Sequence, residues 1–147
     1  MSKYLIVYDN HCGVCLLGVK LISKMGLIKP ESKVELSAHE TNDITCNIDP
    51  QRACDEMAVI NKTTKEIQYG TEGYALLIAE RFPLLTALSK SKILVNIVNP
   101  IYLLFASNRR IIAPLKISQA NCTPTLKKGY RLFMIVFLGI FATLITY

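Results

Sequence analysis

Two hydrophobic periods alternate along the chain. Tyr4 to Tyr8 is a continuous apolar and β-branched run that predicts a buried strand. Asp9-Asn10 breaks it, since both side chains bond nearby backbone N–H groups and favour turns. Cys15, Leu16, Val19, Leu21, Ile22 and Met25 then recur at about 3.6 residues and predict a helix. Met25-Gly26 supplies its stop and Lys29 to Ser32, with Pro30, a turn. Lys33 to Ala38 alternates polar and apolar positions as a half-exposed strand does. Residues 39–55 carry little apolar content and predict a loop with a short helix over Pro50–Asp55, Pro50 suiting its first turn. Met57–Asn61 and Glu66–Tyr69 read as a hairpin around Lys62–Lys65, ended by Gly70. Thr71 is the expected cap of a helix through about Arg81, with Tyr74, Ala75, Leu77, Ile78 and Phe82 on its apolar face. Pro83 stops that helix. Residues 84–112 form a second apolar region broken by Asn96, Asn99 and Pro100, which predicts a helical pair packed on the sheet. Its apolar stretch Ile93–Ala106, at 14 residues, is too short to span a bilayer. The order strand, helix, strand, short helix, strand, strand, helix predicts an α/β (α+β) domain with a mixed four-stranded sheet flanked by helices.

The last segment follows neither period. Leu132 to Tyr147 has no charged residue, and with Tyr130 and Arg131 it offers 18 residues, about 27 Å of helix against a hydrocarbon core of about 30 Å. Lys127, Lys128 and Arg131 stand just before it, and Tyr130 and Tyr147 bracket it as interfacial aromatics do. A helix apolar on every face cannot be fully buried by so small a domain, so membrane insertion is preferred over a terminal core or dimer helix. The expected organisation is therefore a domain over 1–115, a basic linker over 116–129 and a single-pass tail anchor over 130–147. The flanking cations would keep the main domain on the cytoplasmic side. Composition agrees, because the 147 residues are 51% hydrophobic, apolar-rich for a small soluble protein, and the excess is concentrated at this end. Part of the net charge of +6 flanks it too, and the first hundred residues hold no basic cluster interleaved with aromatics. The charge reads as membrane-related, with no nucleic-acid partner. No secretory leader is expected, since the first apolar run is short and contains Asp9.

The candidate chemistry lies where the first strand hands over to the first helix. Cys12 and Cys15 fall on that helix's first turn, where unpaired N–H groups and the positive end of the macrodipole favour a thiolate. Three residues apart, they can close a disulfide. Cys12 is expected to be the outer, attacking thiol and Cys15 the resolving one. His11 can add positive charge, and Asp9 opposes ionisation of the thiols but can relay a proton. The same spacing also occurs in metal sites and in plain packing roles. A zinc site from Cys12, Cys15, Cys46 and Cys54, perhaps with His39, lacks a second close pair, and Cys46 and Cys54 read better as ordinary surface or core thiols. With Cys122 the cysteines number five, a pattern suited to one reactive pair and spare thiols in a reducing compartment.

Tyr8-Asp9-Asn10-His11-Cys12-Gly13-Val14-Cys15 resembles the Y/F-D-G-x-C-x-x-C signature of the DCC family of thiol-disulfide oxidoreductases. Gln68 to Ala75 and Tyr102 to Ile112, with Asn108-Arg109-Arg110, resemble two further family segments, and the likeness spans about residues 3–115. Asn10 stands where the family usually has Gly; Asn tolerates left-handed backbone angles, so the turn is expected to survive. The resemblance implies a thioredoxin-like fold and places Asn108 and Arg109 as candidate partners of the thiols, or as a solvated helix end. Thioredoxins proper carry Trp before the first cysteine, Pro inside the pair, and a cis-proline opposite. This chain has no Trp, has Val14 in the pair, and has no proline in Asp55–Ala58, so the grip on a peptide substrate differs.

The expected activity is thiol–disulfide exchange with a disulfide substrate, protein or small molecule, and an external electron donor, without a cofactor. The alternative is a non-enzymatic membrane-bound interaction module, with or without cysteine-bound zinc; a third reading keeps the redox fold with cysteines that no longer turn over.

Overall fold

The structure, a computed structural model, describes residues 3–37, 47–86, 91–112, 125 and 127–146. Strand β1 (Tyr4–Tyr8) leads into helix α1 (Gly13–Lys24), followed by β2 (Lys33–Glu35), α2 (Pro50–Asp55), β3 (Ala58–Asn61), β4 (Ile67–Tyr69) and α3 (Gly70–Arg81). Two further helices, α4 (Lys92–Ile112) and α5 (Lys128–Thr146), complete the described chain. The sheet order is β2-β1-β3-β4, with β1 parallel to β2 and both other pairs antiparallel. This is the mixed four-stranded sheet with flanking helices that the hydrophobic pattern predicted.

The continuous apolar character of β1 reflects burial on both faces. Tyr4 and Ile6 face α1 and α3 in a cluster with Val19, Ile22, Val59 and Leu77. Leu5 and Val7 face the opposite way with Ile48, Ala53, Ala58 and Ile60, under α2. The central strands β1 and β3 are thus sandwiched between helices, and their C-terminal and N-terminal ends meet beside the cysteine turn. Gly73 lets α3 lie close on β3: a Cβ there would come 2.8 Å from Val59 Cγ2.

Helix α1 ends as its sequence requires. Gly26 takes φ +69°, and the bonds Leu27 N–H to Ile22 O and Gly26 N–H to Ser23 O close a Schellman motif. Helix α2 has the predicted bounds, with Asp49 accepting from the N–H groups of Gln51 and Arg52.

Four local expectations are corrected. Strand β2 stops at Glu35, because β1 turns away after Tyr8, the partner of Glu35, and offers β2 nothing further to pair with; residue 38 of the expected strand lies outside the described residues. Thr71 does not cap α3: the N-cap is Tyr69, without a side-chain bond, and the Thr71 hydroxyl bonds Asn99 Oδ1 on α4 at 3.2 Å. Asn99-Pro100 does not divide residues 92–112, which form one 21-residue helix through Pro100. That proline removes a single backbone bond to Asn96, a cost offset by packing of α4 on α1, α3 and α5. The turn at Asn10 survives as expected, but its means is corrected: Asn10 avoids the left-handed region, where Lys65 is the one non-glycine among the described residues, and its side chain donates to Glu35 Oε2 at 2.8 Å.

Candidate active site

Cys12 is the N-cap of α1. Its backbone is extended, and its N–H donates to Asp9 O at 3.3 Å. Its Sγ does what a capping oxygen usually does, accepting the N–H of Cys15 at 3.3 Å. Asp9 shapes the same turn, its Oδ1 accepting from His11 N–H at 2.9 Å, the local bond that makes Asp a turn residue. The His11 ring stands 4.0 Å from Asp9 Oδ1.

The third contributor arrives from 94 residues away. Arg109, only 4% exposed, projects from α4 so that Nη1 lies 3.4 Å from Cys15 Sγ, while Nη2 donates to the Cys54 carbonyl on α2. A buried guanidinium needs such partners, and this one is placed against the thiol pair. Its neighbour Asn108 is fully buried and donates to Leu104 O at 2.8 Å and Tyr130 O at 3.1 Å, the latter on α5. The two residues therefore act on different things: Arg109 contacts the thiol site, and Asn108 ties α5 to α4.

The electrostatics separate the two thiols. Cys12 is held down at about 6, chiefly by the side-chain hydrogen bond from Cys15, aided by the Cys15 N–H and the Arg109 charge, against burial and Asp9. Cys15 is driven strongly upward by the same hydrogen bond and by burial, with Arg109 opposing. One thiol is thus ionised at neutral pH while its neighbour holds the shared proton. Exposure runs the other way from the expected outer position of Cys12: Cys12 is 4% exposed, and Cys15 is only half-buried.

A cavity of about 170 Å³ opens beside Cys15, between α1, α3 and α4, with Asp9, Met57, Tyr74, Tyr102 and Arg109 in its wall. The two tyrosines, which the sequence did not single out for chemistry, meet edge to face at 5.9 Å between centroids. Burial pushes Tyr74 up to about 12 and raises Tyr102 further, so both stay protonated. Tyr102 Oη accepts the Met57 N–H at 3.3 Å. That donor stands in the stretch where thioredoxins place their cis-proline, and a proline there would have no N–H to give. Gly70 serves the same wall, since a Cβ at its φ of +56° would lie 2.5 Å from Glu56 Oε2 and 3.0 Å from the Tyr102 ring. A wider cleft of about 870 Å³, lined by Glu66, Glu72 and Glu80 among others, holds no thiol.

The remaining cysteine candidates fare differently. Cys12 and Cys15 are free thiols. Cys54 is buried in the α2 face of the core and is disulfide-bonded, which corrects its reading as a spare thiol and removes it from a zinc set in this state. Cys46 and His39 lie outside the described residues, as does Cys122. Among the described residues no group of three His, Cys, Asp or Glu side chains converges as a metal site.

The fold is a mixed α/β sheet that carries a CxxC pair at the start of its first helix. Residues 6–113 match the family described as DCC1-like thiol-disulfide oxidoreductase, and the chain belongs to that family. No curated protein and no solved structure matches it.

Proposed function

We propose that the chain is a thiol–disulfide oxidoreductase in which Cys12 attacks and Cys15 resolves. The observation that carries this reading is the capping geometry of Cys12, whose Sγ accepts the Cys15 N–H with Arg109 beside the pair. The Cys12 thiolate attacks one sulfur of a substrate disulfide; the substrate S–S bond breaks, and the departing thiolate takes up a proton. Cys15 then loses its proton and attacks Cys12 Sγ, releasing the second substrate thiol and leaving a Cys12–Cys15 disulfide. The substrate gains two electrons and two protons, and an external dithiol donor returns them to the enzyme. Asp9, in the wall of the cavity that reaches Cys15, is the base for the second step, and Arg109 is the positioning residue for both thiols.

One described helix segment, Lys128–Ile145, is long and apolar enough to cross a membrane. Its flanking cations support a tail anchor with the thiol domain on the cytoplasmic side. Beside the proposed span, Thr125 N–H bonds Asp55 Oδ1 at 2.6 Å, Lys127 pairs with Glu56 at 3.6 Å, and Met134 is buried; residues 116–124 and 126 of the expected basic linker lie outside the described residues.

The test is the pH dependence of alkylation at each cysteine in the reduced full-length protein, resolved by peptide mass spectrometry, with Cys15→Ser alongside. A Cys12 midpoint near 6, with a Cys12–Cys15 disulfide after mild oxidation, supports the mechanism. A midpoint like that of an ordinary thiol, about 8.5, with no such disulfide sinks it in favour of an interaction module.

A further inference from the structure

Where α5 begins against α4, a groove of about 660 Å³ opens to the surface. Its floor is apolar, formed by Pro100, Ile101 and Leu104 of α4 and Phe133 of α5, and Lys127 and Lys128 stand at its rim. Among the described residues no acidic side chain lines it. Glu56 approaches Lys127 from outside the groove, which leaves exposed Lys128 as the rim charge without an acidic partner among the described residues. The apolar surface does not end there: Ile97, Val98, Ile101 and Phe105 on α4 are each 43–60% exposed, a stripe at helical spacing that runs into the groove and on to α5.

We propose that this groove seats an anionic phospholipid, one acyl chain lying along Ile101, Leu104 and Phe133 and the phosphate held by Lys128 with Lys127. The proposal rests on the reading of α5 as a membrane span. If α5 crosses the bilayer, its first turn lies at headgroup depth, and the groove opens where a lipid's charge and its upper methylenes meet. Two lysines over an apolar floor match an amphiphile with a negative head. They match a zwitterionic lipid less well, and they suit a second copy of this chain poorly, since it would bring the same cations. Helix α4 then rests its exposed stripe in the interface while its other side carries Tyr102 and Arg109 to the thiols.

The experiment is native mass spectrometry of the full-length protein released from mixed micelles containing phosphatidylglycerol and phosphatidylcholine. One phosphatidylglycerol per chain is expected, at least about fivefold above phosphatidylcholine, falling about fivefold in Lys128→Ala. Leu104→Trp, which fills the floor, is expected to lose it, and Leu144→Trp, far along α5, to keep it. Equal retention of the two lipids, unchanged retention in both Lys128→Ala and Leu104→Trp, or a lipid-free dimer overturns the proposal. Alkaline carbonate extraction of the membrane-bound protein tests the span separately. Extraction into the supernatant removes the span and with it the proposal, whereas resistance to extraction without lipid retention removes the lipid seat alone.

Discussion

Helices α1 and α5 start in opposite ways. The first turn of α1 receives a thiolate, the charge that the positive end of a helix favours, and the supporting cation, Arg109, is supplied from another element. The first turns of α5 carry Lys127, Lys128 and Arg131, the charge that the same dipole disfavours by roughly 0.3–1 kcal/mol each. One start is complete within the domain; at the other Glu56 meets Lys127, and Lys128 becomes favourable next to a further anion. Local sequence and dipole agree at the thiol pair, and they conflict at the start of α5.

The largest effect that can break this contrast is at α1. Cys12→Ser is expected to abolish disulfide reduction, and Cys15→Ser to stop it after the first step, with a mixed disulfide on Cys12 accumulating and visible by mass. Turnover by Cys12→Ser would mean that the capping thiol is not the nucleophile. In the parent, the alkylation rate of Cys12 is expected to fall about tenfold per pH unit below about 6, because the thiolate is lost as pH drops through its depressed value.

Arg109→Ala is expected to act twice. The Cys12 midpoint moves up, since the guanidinium lowers it, and folding loses about 1–3 kcal/mol because the buried Cys54 carbonyl is left without that donor. Arg109→Lys restores the charge without the fork and is expected to recover part of the midpoint but little of the stability. Chemical denaturation and pH-dependent alkylation of the same samples separate the two.

A smaller change sharpens the α5 side. Asn108→Ala removes the donor to Tyr130 O and is expected to cost about 1 kcal/mol, read as faster hydrogen exchange in the first turns of α5, with the Cys12 midpoint unmoved. A shifted midpoint would show that the two consecutive residues do not divide their work as their bonds suggest. The smallest shift in midpoint is expected from Asp9→Asn, which keeps the bond to His11 N–H but removes the charge that raises both thiols. The Cys12 midpoint is then expected to move slightly down while resolution by Cys15 slows, a pair of opposite changes measurable by stopped-flow mixing with a model disulfide.

What the sequence made legible was local. The β1–α1 turn, the Gly26 stop and the bounds of α2 each depend on neighbours within a few residues, and pattern reading found them. The end of β2 depends on where its partner strand turns, and the use of Thr71 depends on Asn99 of another helix, so neither is written in a short window. The site divides in the same way. Cys12, Cys15 and Asp9 lie within one turn, and the family likeness flagged Asn108 and Arg109. Only packing of α4 across α1 and α3 shows that Arg109 reaches Cys15 while Asn108 faces α5. Tyr74 sat on an ordinary apolar face and Tyr102 at the start of a family-like segment, and nothing in their spacing distinguished cavity wall from core.

The near-complete cover over Cys12 is expected to admit reagents by size. Its charge state invites electrophiles at neutral pH, yet only a few per cent of the residue meets solvent. Reactivity by ionisation and reactivity by access are thereby uncoupled: a slim reagent such as iodoacetamide reports the thiolate, and a bulky maleimide reports how often the cover opens. A disulfide presented on a narrow, extended stem would meet this sulfur far more readily than one lying flat on a folded protein surface.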